Sequence, residues 1–216
     1  MKLVLERCEH RDPAGGAARP VLVWRFHEPV HAAATTVLGG GIGRRSWIVN
    51  AEVDHEYRRD PEAHLRAIAA QLGLAADDGV GLLTAARVLD VVVAADDGAE
   101  CAATVGVSTP VWAAAPDGAW ARWVPGTINL AVWVPAPLSD AALANALVTA
   151  TEAKAQALFD AGVPGTGTAS DALVVCCPPG GAEPYGGPRS VWGARLARAV
   201  HGAVAAGTER YLVGLR

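Results

Sequence analysis

Between residues 125 and 158 the hydrophobic period of the chain changes once and abruptly, and that change limits the folds open to it. From Thr127 the residues alternate, with Ile128, Leu130, Val132 and Val134 on one side and Thr127, Asn129, Ala131 and Trp133 on the other. This is the period-two pattern of a strand. Pro135 and Pro137 end it, Ser139 and Asp140 supply an N-cap and a first-turn carboxylate, and a helical period then runs to about Asp160. A strand that feeds directly into a long helix calls for an α+β fold, with mixed, largely antiparallel β-sheets covered by helices.

Both elements carry polar groups where apolar ones are expected. Thr127 and Asn129 share a strand face, roughly 6–7 Å apart at two-residue spacing. On the helix, Leu143, Leu147, Ala150 and Leu158 form a stripe with Lys154 at its centre and Thr151 at its edge. Glu152 falls on a second apolar stripe with Val148 and Phe159, so cover on both sides of the helix is expected. Glu152 and Lys154 are two residues apart and do not face each other, so each needs its own partner. A buried, paired charge serves the fold as readily as it serves catalysis. The concentration of four such groups in one strand, turn and helix marks the candidate site.

Composition narrows the partners. A net charge of −4 and the lack of any lysine- or arginine-rich stripe exclude a phosphate-backbone or acidic-lipid surface, so neither nucleic acid nor membrane is expected as a partner. The opening MKLVLERCEHRD is too short and too charged for a signal peptide, and no apolar run approaches the ~20 residues of a membrane helix. A single cytoplasmic domain over residues 1–216 is the expectation. Cys8, Cys101, Cys176 and Cys177 lack CxxC spacing and read as reduced thiols rather than metal ligands. Apart from Lys2, Lys154 is the only lysine among basic residues that are otherwise arginine, which suggests that an amine is required there.

Residues 2–9 and 20–28 read as a hairpin around DPAGG. His27-Glu28-Pro29-Val30-His31 matches HExxH, but that motif binds zinc only on a helix. Pro29 and strand-like flanks forbid the helix, so no metal site is expected. LGGGIGRR (38–45) joins strands at 31–37 and 46–53; it lacks a GK[ST] ending, and its glycines, Gly40 among them, suit close backbone approach to a ligand or a strand. Asn50 places an amide on the inner parity of the second of these strands.

A covering helix is expected over 61–72, stopped by Gly73. GLLTAAR then leads into strands at 87–95 and 99–107, with Thr84 and Thr104 as hydroxyls in apolar segments. Three tryptophans between residues 108 and 126 suit stacking on a flat ligand or core anchoring. Gly165, Thr166, Gly167 and Thr168 make a donor-rich loop that ends at Asp171, a seat for an oxyanion or for a carboxylate that orients a neighbour. A last helix from about Ser190 turns Leu196, Val200 and Val204 inward.

In order, the pieces GGG, WIVNAEV, QLGL, VGLLTAA, ATVG, PGTIN, APLSDAALANALVTATEAKAQAL, TGTASDA and GGPRSVWGARLARAV resemble the adenosylcobinamide amidohydrolase family over roughly residues 31–206. GTIN with TEAK is the most telling pair. Leu83 stands where methionine is expected and Ser170 where threonine is expected. The resemblance implies a hydrolase that cuts the amide joining a corrin propionyl side chain to aminopropanol and releases adenosylcobyric acid for cobalamin salvage. Its substrate would be a small-molecule corrinoid; it would have no cofactor of its own, the cobalt lying within the substrate, and a homo-oligomer is left open.

A second likeness is to the β-aminopeptidase and ornithine acetyltransferase-like fold, in which a small residue opens an alternating strand ahead of APL and a helix. It implies a four-layer α/β/β/α sandwich with Thr127 as nucleophile and Asn129 or nearby backbone at the oxyanion. Amide cleavage also needs an acid for the leaving amine, for which Lys154 or Glu152 is available, with Asp171 beside them. Gly40, Asn50, Thr84, Thr104, Gly167 and Thr168 are the substrate-binding candidates. The competing functions are a non-catalytic corrinoid-binding protein and a β-aminopeptidase-like amidase with another substrate.

Overall fold

The structure is a computed structural model that describes residues 5–11, 15, 17–119 and 126–214. In chain order its elements are β1 (Leu5–His10), β2 (Arg19–Ala34), β3 (Gly41–Glu52), α1 (Pro61–Gln71), β4 (Gly79–Thr84), β5 (Val92–Asp96), β6 (Ala99–Val105), β7 (Ile128–Trp133), α2 (Asp140–Asp160), β8 (Ala172–Cys177) and α3 (Val191–Gly214). The strands form one sheet in the order β4-β3-β2-β8-β7-β6-β5, with β1 also paired to β2. All pairings are antiparallel except β3 with β4 and β7 with β8. The expected α+β class holds.

The two segments 20–28 and 31–37 are one long strand. Its register with β3 shifts between Arg25 and Val30, around Pro29, which cannot donate to the ladder. Before the shift β2 takes β1 on its free edge; after it, β8 occupies that edge. The sheet folds over at this point, and its two halves face each other across a layer of Leu22, Trp24, Ile48 and Leu82 against Ala131, Trp133 and Val174. Outside the first half lies α1, whose Leu65 and Ile68 pack on Val21, Val23 and Val49. Outside the second half lie α2 and α3, packed on Ile128, Leu130 and Val175. The four layers implied by the sequence are therefore built from a single sheet shared through β2 and β3, rather than from two separate sheets.

Local signals placed the helices. Asp60 caps α1 by accepting from Ala63 N at 2.7 Å, and Ser139 caps α2 by accepting from Ala142 N at 3.2 Å. Gly73, with φ +67°, follows the end of α1. Residues 88–90 form a short 3₁₀ turn, so β5 starts later than the alternation suggested. His27–His31 lies on β2, so the two histidines do not share a helical face; His31 instead meets Asp140 at 3.1 Å. Among the described residues no helix is long and apolar enough to cross a membrane.

All four cysteines are free, and only Cys8 is partly exposed. Burial pushes the Cys177 thiol up to about 11 and holds Cys101 and Cys176 far above the ordinary thiol range, so none of these three carries the thiolate that reacts. A thiol reagent at pH 8 is expected to label Cys8 alone in the folded protein and all four cysteines after denaturation. A second fast thiol in the native protein would contradict this burial.

Candidate active site

Thr127 sits at the threshold of β7, buried, with its carbonyl accepting from Gly106 N at 3.0 Å. Its Oγ1 lies 2.8 Å from Ser170 Oγ, and Ser170 Oγ donates to the Gly126 carbonyl at 3.3 Å. A serine hydroxyl has one proton. With that proton directed to Gly126, Thr127 is the donor in the pair and its own lone pairs stay unblocked.

Next to Ser170, the Asp171 carboxylate gathers four donors. It accepts from Ile128 N at 2.9 Å and Thr168 N at 3.0 Å, from the Thr168 hydroxyl and from Lys154 Nζ. The Lys154 and Asp171 side chains are only 8% and 11% exposed. Lys154 thus interrupts its apolar stripe in order to reach the loop before β8. A Cβ on Gly167 would overlap both charged groups, so that loop position is confined to glycine. Together these contacts clamp the start of β8 to the start of β7 and present Ser170 to Thr127.

A cavity of about 390 Å³ opens beside this clamp. Thr127, Ser170 and Asp171 form one part of its lining, and Thr35, Tyr57 and Thr84 are among the residues completing it. Most of the remaining wall is apolar. Thr84 Oγ1 accepts from Ala86 N at 2.9 Å, which leaves its proton available as a donor.

The residues singled out from sequence divide into three groups. Thr127, Asp171 and Thr84 line the cavity, whereas Lys154, Gly167 and Thr168 stand behind it as support. Asn50, Thr104 and Asn129 lie between the two half-sheets: Asn50 Nδ2 donates to Thr104 Oγ1 at 3.0 Å, and Asn129 Nδ2 donates to Asn50 Oδ1 and to the Leu83 carbonyl, both at 2.9 Å. Both amide hydrogens of Asn129 are thereby engaged, so it is not available as an oxyanion donor. Its role is to stitch the layers together, although its buried Oδ1 has no partner.

Two expectations are corrected by position. Gly40 does not line the cavity. It lies against the Thr36 carbonyl, where any Cβ would clash, and so shapes the loop that does. Glu152 is exposed on α2, and its supposed second stripe is open to solvent, with Val148 53% and Phe159 74% exposed. The sheet and α3 cover the helix elsewhere. Glu152→Gln is expected to leave both turnover and unfolding free energy within about 0.5 kcal/mol of the parent; a loss of activity beyond that would return Glu152 to the site.

Ser170 was passed over as a site residue, although TGTASDA set it beside Asp171. No local signal marked Thr35 or Tyr57, which come from loops distant in sequence. Of the three tryptophans, Trp112 is half-exposed; Trp120 and Trp123 lie outside the described residues.

Comparison with known proteins agrees with the motif order. The adenosylcobinamide amidohydrolase family model matches residues 5–213. An adenosylcobinamide amidohydrolase of Methanosarcina mazei is 33% identical over 188 residues, covering 82% of this chain and 90% of that protein. One from Halobacterium salinarum is 44% identical over 115 residues, covering 50% of this chain and 49% of that protein. With the match running from β1 into α3 and so taking in the whole Thr127 clamp, this chain belongs to the adenosylcobinamide amidohydrolase family.

Proposed function

We propose that the protein hydrolyses the amide between the corrin propionyl side chain and aminopropanol in adenosylcobinamide, giving adenosylcobyric acid in corrinoid salvage. The observation that carries this reading is the Thr127–Ser170 hydroxyl pair on the wall of a largely apolar cavity, in a family named for this activity. At about 390 Å³ the cavity is at the small end for ligand sites. It suits one side arm of a corrinoid, with the macrocycle resting at the mouth.

Thr127 Oγ1 attacks the amide carbon and passes its proton to Ser170, which gives its own proton to the leaving nitrogen. Aminopropanol departs, and water then cleaves the threonyl ester to release the acid. The Thr84 hydroxyl supports the oxyanion in place of Asn129. Asp171 and Lys154 act by holding this geometry. The protein supplies no cofactor of its own on this reading, since cobalt enters with the substrate. The free thiols fit a reducing, cytoplasmic compartment, and the chain's charge fits neither a nucleic-acid nor a membrane partner.

Incubation with adenosylcobinamide followed by mass spectrometry tests the proposal. Adenosylcobyric acid and free 1-amino-2-propanol are expected in equal amounts. Tight binding of intact adenosylcobinamide would make the protein a corrinoid carrier, and cleavage of unrelated amides with adenosylcobinamide untouched would make it a β-aminopeptidase-like amidase.

A further inference from the structure

A second recess, of about 450 Å³, adjoins the active cavity and shares Val53, Asp54 and Tyr57 with it. Its lining is unlike that of the first. Arg19, Arg58 and Arg59 all border it, on a chain whose net charge is −4. Arg19 is engaged by Asp54 at 2.6 Å, whereas the exposed Arg58 makes no ion pair among the described residues.

His10, on β1, also borders the recess and is only 2% exposed. Its Nε2 meets the Glu52 carbonyl at 2.9 Å, where only a ring N–H can bond. Its Nδ1 is buried without a hydrogen-bond partner. Buried polar atoms are normally satisfied, so this ring nitrogen looks for a ligand that brings a proton, next to guanidinium groups that look for acceptor oxygens. A phosphate monoester offers both.

We propose that this recess is a phosphate subsite, and that it takes a phosphate monoester carried on the hydroxyl of the amino alcohol that leaves when the amide is cut. The inference rests on the proposed amide hydrolysis for the placement of that group, and on the recess itself for its chemistry. A corrinoid whose aminopropanol is phosphorylated then spans both cavities, with its amide at Thr127 and its phosphate near Arg58 and His10.

Calorimetry with 1-amino-2-propanol, its O-phosphate and inorganic phosphate tests the subsite without any turnover. The O-phosphate is expected to bind at least roughly tenfold more tightly than either of the other two. In parallel, the ratio of kcat/KM for phosphorylated over plain adenosylcobinamide is expected to fall at least roughly tenfold in Arg58→Ala. Equal binding of the phosphorylated and plain amino alcohols would overturn the subsite. Binding of inorganic phosphate as tight as that of the O-phosphate would overturn its assignment to the leaving group, as would an unchanged ratio in Arg58→Ala. If neither corrinoid is hydrolysed, the proposed function fails, while calorimetry still decides the recess.

Discussion

Replacement of Thr127 by valine is expected to abolish amide hydrolysis, lowering turnover by at least roughly 10³-fold, while corrinoid binding persists. Valine keeps the β-branched shape at the threshold of β7 but removes the oxygen that would form the ester. The fold should tolerate it, because the backbone pairing of Thr127 with Gly106 and the clamp on Ile128 N do not involve the hydroxyl. Single-turnover assays with absorbance-based corrinoid binding make the check. Near-normal hydrolysis would remove the nucleophile from Thr127 and shift the mechanism to an activated water beside Asp171. Intact mass adds a second discrimination. One uncut chain requires the Ser170 relay, whereas a new terminus at Thr127 would supply an α-amine as the base. The unbroken chain is the expected result.

The other large effect concerns stability. Asp171→Ala is expected to cost about 3–5 kcal/mol, because it leaves the Lys154 ammonium buried without its counter-ion and removes the acceptor for Ile128 N and Thr168 N. Lys154→Met should cost clearly less. It leaves the carboxylate with the Ile128 and Thr168 donors and puts an apolar side chain back into the stripe of Leu143, Ala150 and Leu158. Urea unfolding of both variants checks the order. An equal or larger loss in Lys154→Met would make the lysine, not the aspartate, the centre of the clamp.

The asymmetry between these two residues was not visible in the order of the chain. Lys154 announced itself because a charge in a leucine stripe violates the helical pattern, and violations of local rules gather at functional or strained sites. Its partner lies 17 residues further on, beyond a turn, and no local rule joins the two. Thr127 and Asn129 make the same point. Alternation placed them on one face, and that is where they lie, but only Thr127, at the strand end, reaches the cavity. Asn129, one step inward, is sealed between half-sheets by Asn50 and Leu83.

By itself, the sequence determined β7, the turn at Pro135–Pro137, α2 with its Ser139 cap, the inward faces of both, and the family. Each of these rests on period, capping or motif order, which act over a few residues or can be read along the chain. Tertiary structure decided the fold-over at the β2 irregularity, the solvent exposure of Glu152, and the meeting of Ser170, Thr84 and Tyr57 around Thr127. A hydrophobic pattern states which face of an element avoids water. It does not state which distant element will cover that face, because that choice depends on pairings such as β2 with β8 and β7 with β8 that form only when the whole sheet closes.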